Sequence, residues 1–107
     1  MICRVWHGWT KPANASAYER LLKEEIFAGI ASRRIAGYRG IQLLRRDHSA
    51  EIEFVTMMWF DSLDAVRAFA GDDYAKAVVP ESARKVLSRF DERSAHFEVR
   101  ESDVRFP

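Results

Sequence analysis

The stretch EIEFVTMMWF, residues 51–60, decides the fold. Its second half is almost wholly apolar. A strand alternates its side chains between two faces, so a run that is apolar on both alternating sets is covered on both. Whatever packs over one face of this strand, something else has to pack over the other.

The flanking segments supply one of the two covers. Before it, GYRGIQLLRRD (37–47) reads as another strand, joined to it by the short turn Asp47-His48-Ser49-Ala50. After it, Asp61 or Ser62 caps a helix that turns Leu63, Val66 and Phe69 inward and stops at Gly71. Toward the N-terminus, Ile2–Thr10 is rich in β-branched and aromatic residues and ends at TKPAN, where Pro12 cannot donate to a ladder. A helix follows. Ser16 and Glu19 have capping-box spacing, Asn14 is a second cap candidate, and Tyr18, Leu21, Leu22, Ile26 and Ile30 form one apolar face. DDYAKAVV (72–79) reads as a short helical piece. Pro80 then opens a helix from Glu81 to Arg89 with Ala83, Val86, Leu87 and Phe90 on one side. RSAHFEVRE (93–101) is the last strand.

The order is therefore β-α-β-β-α-β, the ferredoxin-like α+β arrangement. It has a four-stranded antiparallel sheet, helices on one face, and the first strand central between the third and the last. The 107 residues fit one domain, 1–107. Helices cover one face only. The economical cover for the other is a second copy, which makes a homodimer whose two sheets face each other around a cavity.

Composition narrows the function. A formal net charge of +1 gives no long-range pull toward nucleic acid or an anionic membrane. The local excess of Arg33, Arg34, Arg39, Arg45 and Arg46 reads as solvated arginines, with a shallow anion site as the alternative. No apolar run approaches the roughly 18 residues that suggest a membrane span. No signal peptide is seen at the N-terminus, so a cytoplasmic protein is expected. The single cysteine, Cys3, allows no intramolecular disulfide. With His7, His48 and His96 scattered, there is no metal-ligand spacing. No metal and no cofactor are expected.

FVTMMWFDSLDAVRAFAGDDYAKAV (54–78) resembles the antibiotic-biosynthesis-monooxygenase-like domains of the dimeric α+β barrel superfamily. In that family a strand ends in Trp and an acidic residue or serine opens an amphipathic helix; here these are Trp59, Asp61 and Ser62. The resemblance implies a homodimeric barrel with a pocket between each sheet and its own helices, or opening to the lumen. Some members of that family oxidise polycyclic aromatic phenols with O2 and no metal or flavin, others bind and degrade haem, and many have no known activity, so the resemblance implies the fold more than the reaction. Two departures matter, the first from the classical members and the second from the haem degraders, and the second points away from haem. Arg67-Ala68-Phe69 stands where a histidine is common, and neither Ala77-Val78-Val79 nor the neighbourhood of Trp6 carries the histidine and asparagine of the haem degraders.

RVWHGWT (4–10) supplies the candidate site. Arg4, Trp6 and Gly8 share one face of the strand and suit a cavity wall, while Cys3, Val5, His7 and Trp9 suit packing under the helices. The reversed register would put His7 in the cavity instead. In the last strand, Ala95, Phe97 and Val99 form a core set, and Ser94, His96 and Glu98 the opposite one. Gln42 and Leu44 share a face, and the resemblance groups Met57 with Trp59, after Val55. The expected cavity is lined by Arg4, Trp6, Gln42, Leu44, Val55, Met57, Trp59 and His96, mostly apolar with a few polar groups. His96 is the candidate base, Arg4 stabilises an anion, and Trp6 and Trp59 are stacking walls. Other readings stay open: Met57 and Trp59 as dimer core, His96 bonded across the sheet near Glu98, Arg4 paired with Glu51 or Glu53. The expected function is cofactor-independent, monooxygenase-like chemistry on a small planar aromatic of phenol or quinol type. The alternative is a non-catalytic or stress-related dimeric barrel that binds a small hydrophobic ligand.

Overall fold

In the computed structural model, which describes residues 1–107, β3 (Ile52–Phe60) pairs antiparallel along its whole length with both β1 (Ile2–Thr10) and β2 (Tyr38–Asp47). The other edge of β1 carries two short strands, β4 (Arg89–Phe90) and β5 (Ala95–Glu98). The lateral order is β2-β3-β1, then β4 and β5 end to end. The first strand is thus central, between the third and the C-terminal pair. The helices lie between β1 and β2 and between β3 and β4, so the α+β ferredoxin-like arrangement holds, with the last strand split in two.

One long helical stretch packs over the sheet. α1 (Ala15–Leu21) passes through a π-helical turn (Leu22–Ile26) into α2 (Phe27–Ser32). The turn has a geometric use. Tyr18, Leu22, Ile26 and Ile30 recur every four residues, and at 3.6 residues per turn such a row drifts by about 40° at each step. The wider π turn winds the row back toward the sheet. Ser16 lies inside α1 rather than at its start, and Asn14 caps through no side-chain bond, so the capping box does not form. α3 (Leu63–Ala70) starts and stops as its sequence reads. Ser62 Oγ accepts from the Ala65 N–H at 3.2 Å, and Gly71 takes φ +93°.

The stretch from Gly71 to Pro80 is irregular, not helical. α4 is only Glu81–Arg84, and Arg89–Phe90 pairs with Gly8–Trp9. Val78 and Val79 are β-branched, and the residue before a proline is pushed away from helical angles. Beyond α4 the chain is drawn onto the β1 edge, where the Ser88 N–H donates to Trp9 and the Asp91 N–H to His7.

The core lies between sheet and helices in two clusters. One gathers Trp6, Tyr18, Leu22 and Phe54; the other gathers Met58, Phe60, Val66 and Phe69. Along β3 the even-numbered residues Ile52 to Phe60 are buried under the helices, and Val55, Met57 and Trp59 are half-buried on the opposite face. That face has no helix over it. The C-terminal tail reaches only the end near Trp59. No helix is long and apolar enough to cross a membrane.

Candidate functional site

Strand parity groups the side chains as the sequence suggests, but the groups lie on the other faces. Arg4, Trp6 and Gly8 point toward the helices, not away from them. The antiparallel register places Arg4 opposite Met58 and Trp6 opposite Thr56. Trp6 is 9% exposed and packs with Tyr18, Leu22 and Phe54, and its Nε1 donates to the Asp91 carbonyl at 2.8 Å. Arg4 opposes His96 across the β1–β5 pair, so His96 shares this side. Cys3, Val5, His7 and Trp9 take the uncovered face.

The expected single cavity is thereby divided. Gln42, Leu44, Val55, Met57 and Trp59 lie on the uncovered face, where Trp59 Nε1 donates to Gln42 Oε1 at 3.1 Å. The whole thickness of the sheet separates them from Arg4, Trp6 and His96. The reason is the register: Met57 opposes Val5 and Trp59 opposes Cys3, so they belong with the odd-numbered residues of β1. The C-terminal strand is reversed in the same way, with Phe97 on the uncovered face and 57% exposed.

Beneath the helices lies a cavity of about 60 Å³. Trp6, Met58 and Thr56 come from the sheet, Tyr18, Phe27 and Ile30 from the helical stretch, Phe69 from α3 and Val78–Pro80 from the irregular segment. Arg4 and Ser94 are its other polar residues. Arg4 is 3% exposed. Its Nη1 donates to the Tyr74 carbonyl and to His96 Nε2 at 3.0 Å, its Nη2 donates to the Lys76 carbonyl at 3.0 Å, and its Cζ lies 5.5 Å from the Phe69 ring centroid. None of these partners is a carboxylate; neither Glu51 nor Glu53 reaches it. Burial pushes the guanidinium down to about 10, so it stays charged at neutral pH. Ser94 Oγ is buried on the same cavity with no hydrogen-bond partner.

His96 stands behind Arg4, outside the cavity lining, with its ring edge-on to Tyr74 at 5.1 Å. Arginine has no acceptor, so His96 Nε2 receives the bond and the ring proton sits on Nδ1. Burial, and after it the Arg4 charge, hold the imidazole below its ordinary value and keep it neutral. Its one lone pair is taken, so in this arrangement it positions Arg4 and is not a free base.

A second polar group sits at the far corner of the uncovered face. Glu53, 6% exposed, accepts from His48 Nε2 at 2.9 Å, from Arg46 and from His7 Nδ1 at 3.0 Å. These bonds hold its carboxyl at about 2. Every acceptor oxygen of Glu53 is engaged, so the cluster reads as a closed ion pair.

Sequence reasoning missed Ser94, Thr56 and the Tyr74 and Lys76 carbonyls. Parity groups Ser94 with His96 but assigns it no role. The two carbonyls carry no residue-type signal and lie about 70 positions from Arg4.

No model of a known protein family matches the chain, and no curated protein matches it. Solved structures do. A Bacillus cereus protein described provisionally as an antibiotic biosynthesis monooxygenase superposes with a TM-score of 0.66 at 16% identity, over 100% of this chain and 98% of that one. The haem degrader MhuD of Mycobacterium tuberculosis, whose structure holds two haems in its active site, superposes with a TM-score of 0.57 at 23% identity, over 97% and 100%. At these identities the likeness establishes the fold: this chain folds as those two proteins do from end to end.

Proposed function

We propose that the chain is a monooxygenase-like protein that acts without a bound cofactor, as a cytoplasmic homodimer, on a small planar aromatic of phenol or quinol type held beneath α1 and α2. One observation carries this reading. Arg4 is a buried cation with no carboxylate partner, in the wall of a cavity otherwise made almost wholly of apolar and aromatic side chains. Such a site stabilises an aromatic oxyanion and excludes water from it. An electron-rich phenolate gives one electron to O2, and the radical pair joins through a new C–O bond. The C–H bond at that carbon and the peroxide O–O bond then break, leaving a quinone and hydroxide, which takes a proton from solvent, so that one oxygen atom ends in the product and the other in water. The fold shared with the Bacillus cereus protein supports this chemistry.

Arg4 is the anion stabiliser and Trp6 a stacking wall. His96 acts through Arg4, because its lone pair faces the guanidinium and it does not line the cavity. Trp59, Met57, Val55, Leu44 and Gln42 serve the interface with a second copy, since they form the apolar face that no helix covers.

Haem does not fit these residues. His96 is the only histidine on the helix side, its Nε2 is engaged by Arg4, and about 60 Å³ is far below a haem's bulk. That same small volume favours a second reading, a non-catalytic dimeric barrel that binds a small hydrophobic ligand. Oxygen-electrode measurements with a panel of phenols and naphthohydroquinones separate the two. Uptake that is lost in Arg4→Gln supports the oxygenase. Ligand binding with no uptake for any of the panel leaves the binding protein.

A further inference from the structure

The cavity holds a cation and offers no base. Its polar lining is Arg4, Thr56, Ser94 and Tyr18, with no aspartate, glutamate, histidine or lysine. Burial drives the Tyr18 hydroxyl well above its ordinary value, so it takes no proton from a ligand. The nearest imidazole is occupied by Arg4. A neutral phenol entering this site would find no group to remove its proton.

Arg4 itself is under-compensated. A buried ion is stable where it is paired, and two carbonyls and an imidazole nitrogen supply dipoles but no charge. Ser94 Oγ adds a buried hydroxyl without a partner on the same wall. Buried polar atoms in folded proteins are almost always bonded, so an orphan hydroxyl on the same cavity as a guanidinium without a carboxylate points to a missing partner. One anionic oxygen pair would answer both.

Size adds a condition. A cavity of about 150 Å³ takes up benzene, and this one measures about 60 Å³. An aromatic therefore enters only if a wall yields. Val78–Pro80 forms a wall with no regular structure, and Val78 is 46% exposed. It continues the segment whose Tyr74 and Lys76 carbonyls Arg4 holds. Charge-assisted, bidentate pairing with a carboxylate is stronger than bonds to neutral carbonyls, so an anion can compete for the guanidinium where a neutral ligand cannot.

We propose that the ligand of this cavity enters already ionised, as an aryl carboxylate or an equally acidic enol. It binds by drawing the Arg4 guanidinium off the Tyr74 and Lys76 carbonyls, with Ser94 Oγ as a second donor. This rests on the reading of the cavity as the ligand site and deepens it: a carboxylate supplies the charge that Arg4 lacks, and where the ionised group is itself the enol to be oxidised, no base is needed.

The test is an NMR-detected titration of the full chain with benzoate and with benzamide, its neutral isostere. Benzoate is expected to shift the Arg4 Nε and Ser94 signals and to bind at least about tenfold tighter than benzamide, the scale of one charged hydrogen bond. Arg4→Gln should bring benzoate down to the benzamide value. Ser94→Ala, which removes an unpartnered hydroxyl, should keep or raise the thermal midpoint of the free protein while weakening benzoate several-fold. Equal binding of the two probes overturns the proposal. So does a benzoate preference that survives both substitutions, or the absence of any benzoate shift at about 10 mM, near the weak limit of measurable affinity. Oxygen uptake plays no part here. Discrimination without uptake keeps this inference and sinks the oxygenase; uptake with neutral phenols that is lost in Arg4→Gln, together with equal binding of benzoate and benzamide, does the reverse.

Discussion

Arg4 and His96 face each other across the β1–β5 pair with 3.0 Å between Nη1 and Nε2, and each constrains the other. The arginine fixes the imidazole as the Nδ1–H tautomer; the imidazole, with two carbonyls, fixes where the guanidinium points. The pair works only while His96 is neutral, since an imidazolium has no lone pair to offer and would add a second buried positive charge.

A pH dependence follows. Burial and the Arg4 charge lower the His96 value in the folded chain, while the unfolded chain takes up its proton near the ordinary value of 6.5. Below that point the unfolded state binds more protons than the folded one, so stability falls with falling pH until the folded value is passed. Urea midpoints measured between about pH 7.5 and 5 should drop in the wild type. The drop should be smaller in His96→Gln, and the difference between the two isolates this residue. Superimposable profiles would remove the coupling.

Gly8 and Trp6 make a second test. The Trp6 indole lies back over Gly8. A Cβ at position 8 would meet Trp6 Cη2 at 2.7 Å and Leu87 Cδ2 at 3.1 Å. Gly8→Ala should therefore destabilise by about 1–3 kcal/mol, the usual range for overpacking. Trp6→Phe removes the atoms in question and should make the added methyl cheaper, so the double variant should be less destabilised than the sum of the singles. Additive costs would mean that the indole moves aside freely.

How far the sequence carried can be read from these same residues. Ile2–Thr10, Ser62 as a cap and Gly71 as a stop are visible locally, because each rests on neighbours within one turn or one strand, and the central place of the first strand comes from the order of the elements. Parity also put Arg4 with Trp6 and Ser94 with His96. What parity cannot supply is which set faces the helices. Arg4 looks like a residue for a wet surface, and its burial is made possible by carbonyls of Tyr74 and Lys76 that have no signature in the chain. Nor does parity relate one strand to the next. A single-residue choice of register puts Trp6 opposite Thr56 instead of Met57 and sends Met57 and Trp59 to the far side of the sheet. The helix expected over 72–79 fails because long-range bonds, such as the Ser94 N–H to the Ala75 carbonyl and the Ala77 N–H to Glu92, claim that backbone.

Glu53 should give the protein a separate acid limit. Its carboxyl is held at about 2 in the folded chain by His48, Arg46 and His7, against about 4.5 ordinarily. A depressed carboxylate contributes stability that is complete above the unfolded value and is lost as pH falls toward the folded one. The wild type should lose stability between about pH 4.5 and 2 more steeply than Glu53→Gln, which carries no titrating group there. Circular dichroism during acid titration reads both curves; parallel curves would show that the cluster is spectator to the acid transition.

Trp6 and Trp59 lie on opposite faces of the sheet. Trp6 is buried under α1 and bonded to the Asp91 carbonyl, so Trp6→Ala should cost about 3–5 kcal/mol of fold stability, the range for large aromatic truncations. Trp59 is half-buried on the uncovered face with Val5, Met57 and Phe97 around one groove. An apolar face of that extent on a monomer marks an interaction surface, and its occupant in the proposed homodimer is the same face of a second copy. Light scattering of the wild type at micromolar concentration should give twice the chain mass. Met57→Glu places a charge in the middle of that face without touching the helix-side core, so it should leave the circular dichroism spectrum unchanged and shift the protein toward monomer. Trp59→Ala should weaken association while costing the fold far less than Trp6→Ala. A wild type that scatters as a monomer would leave the half-buried Val5 and Met57 and the exposed Phe97 unexplained and would end the barrel reading. A Met57→Glu variant that stays dimeric would move the interface elsewhere on the surface.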